Sequence, residues 1–226
     1  MNPNLIEIAY ILDRSGSMEA LKEAAVSGFN SFLKSQLDVP GDARLTLVLF
    51  DDEYQIACNS RMVEEVPELT ADTYVPRGST ALLDAIGRTI KELAAGLRAL
   101  PEDEQPAKVI VAIFTDGLEN ASREYTSRHV SDLIKRQRDE KGWEFIFLAA
   151  NQDAIATAAS LSMGDINTGN VQFSAAGIKS TKRALGRKVR AMRMSVQGLL
   201  NEDAAADADS SMQKLIDEES AEAGEQ

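Results

Sequence analysis

A three-layer α/β sandwich is predicted, with a mostly parallel central sheet, one antiparallel edge strand and helices on both faces. Three observations predict it. Strand and helix signals alternate in the order β-α-β-β-α-β-α-β. The runs over residues 5–12 and 108–114 are almost continuously apolar, as strands covered on both faces are. Polar residues stand just past both runs, Asp13 after the first and Asp116 after the second. Open parallel sheets bind ligands at that edge, near a topological switch point.

The elements follow in order. The first strand, 5–12, ends at Asp13-Arg14-Ser15-Gly16-Ser17. Residues 19–36 carry Leu21, Ala24, Ala25, Gly28, Phe29, Phe32 and Leu33 at helical spacing, so one face points inward. Pro40-Gly41-Asp42 is a turn. A second strand covers 44–50. Asp51-Asp52-Glu53 reads as a solvated tight turn into an antiparallel partner over 54–58, which 62–66 extends. Arg77-Gly78-Ser79-Thr80 leads into a helix with Leu82, Leu83, Ile86, Ile90, Leu93 and Leu97 on one stripe. The central strand, 108–114, ends at Thr115-Asp116-Gly117. A helix over 127–140, a strand over 143–149, a short helix over 153–161 and an edge strand near 170–173 complete the sheet.

The chain of 226 residues fits one domain over 1–200, closed by a long amphipathic helix at 174–200. That helix has an apolar stripe of Ile178, Leu185, Val189, Met192, Val196 and Leu199. Its other face is basic: Lys179, Lys182, Arg183, Arg187, Lys188, Arg190 and Arg193. With no interleaved aromatics to stack on bases, this face reads as solvated. Residues 201–226 are rich in Asp, Glu, Ala and Ser and are expected to be a largely disordered tail, apart from a short helix carrying Met212, Leu215 and Ile216. Two further arrangements are open for the tail. It can lie against the basic helix, or it can offer Glu218, Glu219 or Glu222 to the site described next.

A net charge of −12 argues against general nucleic-acid or anionic-membrane binding. The single cysteine, Cys58, allows no intrachain disulfide and reads as a buried structural thiol. No apolar run approaches the ~20 residues of a membrane span. The first residues, Met1-Asn2-Pro3-Asn4, lack the basic patch of a signal peptide. Together these features point to the cytoplasm.

Three loops share one address. The first strand ends at Asp13, Ser15 and Ser17, the central strand ends at Asp116, and Thr80 precedes a helix in a loop free to reach the same edge. Adjacent parallel strands would bring all five oxygens together. Such a set suits a hard divalent cation, Mg²⁺ or Mn²⁺. Only Asp13 and Asp116 carry charge, so the cation would keep much of its electrophilicity. An open position would be filled by water or by a carboxylate from another molecule.

These residues resemble a known family. Asp13-Arg14-Ser15-Gly16-Ser17 matches the Asp-x-Ser-x-Ser motif of von Willebrand factor type A domains. Thr80, in Gly78-Ser79-Thr80-Ala81, and Asp116, in Phe114-Thr115-Asp116-Gly117, match its second and third motif loops. The resemblance covers roughly residues 5–200 and is to an intact metal-ion-dependent adhesion site. It is nearest in kind to the compact intracellular bacterial branch. It implies a Rossmann-like fold, Mg²⁺ or Mn²⁺ binding and metal-mediated protein binding without catalysis. It also implies work in multiprotein complexes, some beside AAA+ ATPases.

Rival readings exist for several of these residues. Ser15 and Ser17 can cap the following helix. Arg14, Glu119 and Asn120 read either as a rim that shapes partner choice or as ordinary loop surface. His129, the only histidine, reads as a surface residue. The rival function is a metal-dependent phosphohydrolase on a similar sheet. Haloacid dehalogenase-type enzymes open with Asp-x-Asp, whereas Ser15 stands at the second position and cannot shuttle a proton near neutral pH. There is no Gly-x-Ser-x-Gly elbow and no phosphate-binding Gly-x₄-Gly-Lys-Ser/Thr loop. The expectation is a non-enzymatic binding domain.

Overall fold

The computed structural model describes residues 1–150 and 152–224. Six strands form one sheet in the order β3-β2-β1-β4-β5-β6. They are β1 (Asn2–Asp13), β2 (Asp42–Phe50), β3 (Tyr54–Met62), β4 (Pro106–Thr115), β5 (Glu144–Ala149) and β6 (Thr168–Asn170). All neighbouring pairs are parallel except β2 and β3. This is the predicted sandwich with its one antiparallel edge strand. β6 lies slightly earlier than expected, and Phe173 beyond it is half exposed.

Strand alternation sorts the core into two faces. Ile6, Ile8, Tyr10 and Leu12 of β1 pack with Phe29 and Phe32 of α1 (Lys22–Leu37) and with Leu185 of α5 (Ala175–Val196). Ala9 and Ile11 face the other way, against Leu82 and Ile86 of α2 (Leu82–Ala99) and Ile134 of α3 (Ser127–Lys141). α4 (Gln152–Ser160) completes that second layer with Ala158. Coverage on both sides explains the unbroken apolar runs in β1 and β4.

The expected disordered tail is corrected. Residues 202–224 form two helices, α6 (Glu202–Asp209) and α7 (Met212–Gly224). Met212 and Leu215 are fully buried and Ile216 nearly so, in the same core cluster as Tyr10 and Leu185. Asn201 caps α6, accepting the Ala204 N–H at 2.8 Å. Composition alone argued for disorder. Three apolar side chains at helical spacing and a basic surface to receive the acids overcome the ordering cost.

The basic face of α5 is corrected with it. Arg187 pairs with Asp207 at 2.5 Å, Glu218 at 3.0 Å and Glu219 at 3.3 Å. The tail therefore lies on α5, and Glu218 and Glu219 are engaged there rather than at the metal-site loops. Lys188 donates to the carbonyls of Ala208 at 2.6 Å and Ser210 at 2.7 Å. Arg193, fully buried, donates to the carbonyls of Gln36 at 2.7 Å and Gly41 at 2.9 Å. Lys182 is also fully buried, donating to the Tyr10 hydroxyl with its amine 3.5 Å from the Phe114 ring centroid. Burial pushes its pKa well below the ordinary lysine value. These residues lock α5 to the sheet and to its neighbours, while Lys179, Arg183 and Arg190 remain exposed. α5 ends at Val196, and Gly198 beyond it takes a left-handed φ of 68°.

Candidate metal centre

β1 and β4 are neighbours, with Leu12 opposite Phe114, so their carboxyl ends open side by side. The sheet extends to β2 on one flank and to β5 on the other, which makes this the switch point. Asp13 is the last residue of β1 and has no solvent exposure. Its Oδ1 accepts the Ser15 N–H at 2.7 Å, and its Oδ2 accepts the Thr115 hydroxyl at 2.6 Å. Its carbonyl accepts the Tyr74 hydroxyl at 2.5 Å. The Ser15 and Ser17 hydroxyls lie 3.1 Å apart, and Ser17 Oγ donates to Asp116 Oδ1 at 2.9 Å. One chain of contacts thus links the first loop to the third.

Thr80 enters from the second loop. A Cβ on Gly117 would lie 2.7 Å from Thr80 Oγ1, so only glycine lets this hydroxyl sit against the Asp116 loop. Backbone bonds knit the loops together. Gly16 N–H donates to the Gly78 carbonyl at 3.1 Å, Arg77 N–H to the Arg14 carbonyl at 2.8 Å, and Asn120 N–H to the Thr80 carbonyl at 3.0 Å. All five sequence-predicted residues, Asp13, Ser15, Ser17, Thr80 and Asp116, are brought to this edge. Ser15 also occupies the N-cap of the short 3₁₀ turn Gly16–Leu21, but its side chain makes no cap hydrogen bond.

The electrostatics suit a cation. Burial pushes the Asp13 pKa up to about 6, against the hydrogen bonds from Thr115 and Ser15. Burial also raises Asp116 above its ordinary value. The groups that donate to the Asp13 carboxylate, from Ser15 and Thr115, are neutral. A buried carboxylate with neutral donors beside a second carboxylate is costly unless a positive charge joins it. Among the described residues, no three His, Cys, Asp or Glu side chains gather as a metal group. The donor set is two carboxylates and three hydroxyls, all hard oxygens, and it fits Mg²⁺ or Mn²⁺ better than a soft metal.

The surroundings revise four expectations. Asp51 is not a solvated turn residue. It is fully buried and pairs with Arg14 at 3.0 Å and Arg77 at 2.8 Å, while Asp52 stays exposed. Arg14, only 5% exposed, also donates to Gln55 at 2.5 Å, so its charge serves the loops and not a rim. Glu119 accepts the Leu83 N–H at 2.8 Å and the Ser122 N–H at 2.8 Å, holding the start of α2. Asn120 Oδ1 accepts the Thr80 N–H at 2.9 Å and so positions a candidate ligand.

Thr115 and Tyr74 were not singled out from the sequence. Thr115 had a usable signal, since strand alternation from Ala9 and Val111 puts Asp13 and Thr115 on one face. Tyr74 had none, because it reaches Asp13 from a loop without periodicity. His129 is exposed in the first turn of α3. Cys58 is buried and donates to the Leu45 carbonyl at 3.2 Å. No helix among the described residues is long and apolar enough to cross a membrane.

No protein-family model matches the sequence, and no curated protein matches it. Solved structures do share the fold. A von Willebrand factor type A protein from Catenulispora acidiphila is 13% identical, with a TM-score of 0.56 over 82% of this chain and 42% of its own. Proximal thread matrix protein 1 from the mussel byssus, solved with a zinc-occupied MIDAS motif, is 17% identical, with a TM-score of 0.55 over 84% of this chain and 47% of its own. The pilus adhesin SpaC from Lactobacillus rhamnosus GG is 14% identical, with a TM-score of 0.62 over 85% of this chain and 31% of its own. The chain spans less than half the length of each. At these identities the likeness establishes the fold, a von Willebrand A-type, Rossmann-like sandwich.

Proposed function

We propose that the chain is a divalent-metal-dependent protein-binding domain that recognises an acidic residue of a protein partner in the cytoplasm. The observation that carries this reading is the convergence of Asp13, Ser15, Ser17, Thr80 and Asp116 from three loops at the carboxyl ends of β1 and β4. These residues would hold Mg²⁺ or Mn²⁺. A bound cation supplies an electrophile that attracts a carboxylate oxygen.

The chain's own residues do the positioning. Ser15 N–H and Thr115 fix both oxygens of Asp13. Asn120 and Gly117 set Thr80 in place. Three of the five donors are neutral hydroxyls, so the cation would keep part of its electrophilicity for an incoming carboxylate. The zinc-occupied MIDAS motif of proximal thread matrix protein 1, which shares the fold, supports the same kind of site.

Binding is favoured over phosphohydrolysis by one feature. The Ser15 hydroxyl stands where a second acid/base carboxylate would be required, and it lies 3.1 Å from Ser17. The test is recovery of partners by the immobilised chain in Mg²⁺, in EDTA and with Asp13→Ala. Partners held in Mg²⁺ and lost in both other arms are expected. Recovery that ignores EDTA, or Mg²⁺-dependent phosphatase activity lost in Asp13→Ala, would overturn the reading.

A further inference from the structure

At the opposite end of β4 from the metal-site loops, the second halves of α2 and α3 flank a cleft of about 460 Å³. Its apolar floor includes Leu97, Leu133 and Trp143. Around it stand Lys91, Arg98, Lys108, Arg136 and Lys141, and no Asp or Glu lines it. The whole chain carries 36 acidic and 24 basic residues, so this lining runs against the composition.

Some of the charge is already used. Lys108 pairs with Glu144 at 2.9 Å, Arg136 with Glu140 at 3.4 Å, and Lys91 lies 4.7 Å from the Tyr125 ring centroid. Arg98 and Lys141 are exposed and enter no ion pair among the described residues. Their place in the last turns of α2 and α3 suits the helix dipoles. The dipoles account for the place of Arg98 and Lys141 but leave both charges free to meet a partner, and they do not account for the apolar floor.

The shape and polarity of the cleft select its occupant. Both helices bring their carboxyl-terminal halves to it, so neither offers a phosphate-sized anion the free N–H groups of a helix N-terminus. The lining runs from Ile90 to Arg98 on α2 and from Leu133 to Lys141 on α3. That is about two turns of each helix. An apolar trough between two basic helix faces matches an amphipathic helix with carboxylates flanking its apolar stripe.

We propose that this cleft is a second protein-docking site, which takes an acidic amphipathic helix from a partner without a metal. Six residues of β4, 110–115, separate its lining from the metal-site loops, a span of roughly 20 Å. One domain then holds two acidic partners at opposite poles. This inference stands apart from the metal reading, because no residue is shared.

Trp143 is the chain's only tryptophan and reports on the cleft floor. The probe is a Trp-free synthetic peptide of about 18 residues with Leu at helical spacing and Glu on both flanks. Titrated against the full chain, it is expected to change Trp143 emission saturably and to bind more weakly as salt rises. Affinity should fall about tenfold or more in Arg98→Glu/Lys141→Glu. EDTA and Asp13→Ala should leave it unchanged. Both reversed residues are exposed, and circular dichroism checks that the variant folds.

The proposal is overturned by any of four results. These are no saturable change at peptide concentrations on the order of 1 mM, equal affinity in the charge-reversed chain, equal binding of a scrambled peptide of the same composition, and equal displacement by oligonucleotides or anionic vesicles at matched charge.

Discussion

The Thr115 hydroxyl donates to Asp13 Oδ2 at 2.6 Å, so the residue that closes β4 aims the carboxylate that closes β1. Thr115 is fully buried and is not itself one of the five candidate ligands. Thr115→Val keeps the shape and removes the donor. The expected result is an intact fold with metal affinity reduced about tenfold, the usual cost of losing an outer-shell partner. Calorimetric titration with Mn²⁺ measures it.

Asp51 holds two loops at once, through Arg14 and Arg77. The side chains of Arg14 and Asp51 are 6% and 0% exposed. Asp51→Ala leaves the Arg14 guanidinium buried without its counter-charge. A destabilisation of about 3 kcal/mol is expected, as for breaking other buried pairs. Urea midpoints of the two proteins measure it, and a change within error would show that the pair contributes nothing.

Gly28 marks the crossing of α1 and α5. A Cβ there would sit 2.6 Å from Lys182 Cγ, in the middle of a fully buried side chain. Alanine in a helix interior normally gains about 1 kcal/mol over glycine. Overpacking costs about 1–3 kcal/mol. Gly28→Ala is therefore expected to lower the thermal midpoint, and an increase would mean that α5 can shift away.

Glu7 is fully buried, accepting hydrogen bonds from Thr46 at 3.0 Å and Ser60 at 2.8 Å. Burial raises its pKa above 4.5, outweighing those bonds and the nearby Arg44. The folded state therefore holds the proton more tightly than the unfolded chain does. The associated stability is fully present below pH 4.5 and is lost as pH rises through the folded value. Glu7→Gln is expected to raise the thermal midpoint at pH 7, with the gain fading toward pH 4. A constant difference across that range would contradict the assignment.

The sheet and the five candidate ligands were legible because their signals are local. Apolar runs mark β1 and β4, and Asp13, Ser15, Ser17 and Asp116 sit at their ends. Thr80 was legible from its place before an amphipathic helix. What escaped depends on contacts distant in sequence. Lys182 meets Tyr10 across 172 residues, and Arg193 meets Gln36 across 157. A basic helix looks solvated until its receiving carbonyls are known. Asp51 looked like a turn residue because Arg14 and Arg77 lie in other loops. The tail looked disordered because its acids were counted without Arg187.

The central claim is that Asp13, Ser15, Ser17, Thr80 and Asp116 together hold a divalent cation. Isothermal titration of the chain with Mg²⁺ and Mn²⁺, beside Asp13→Ala, tests it most directly. One saturable site in the wild type and none in Asp13→Ala is the predicted result. No binding by the wild type, or equal binding by both proteins, would contradict it.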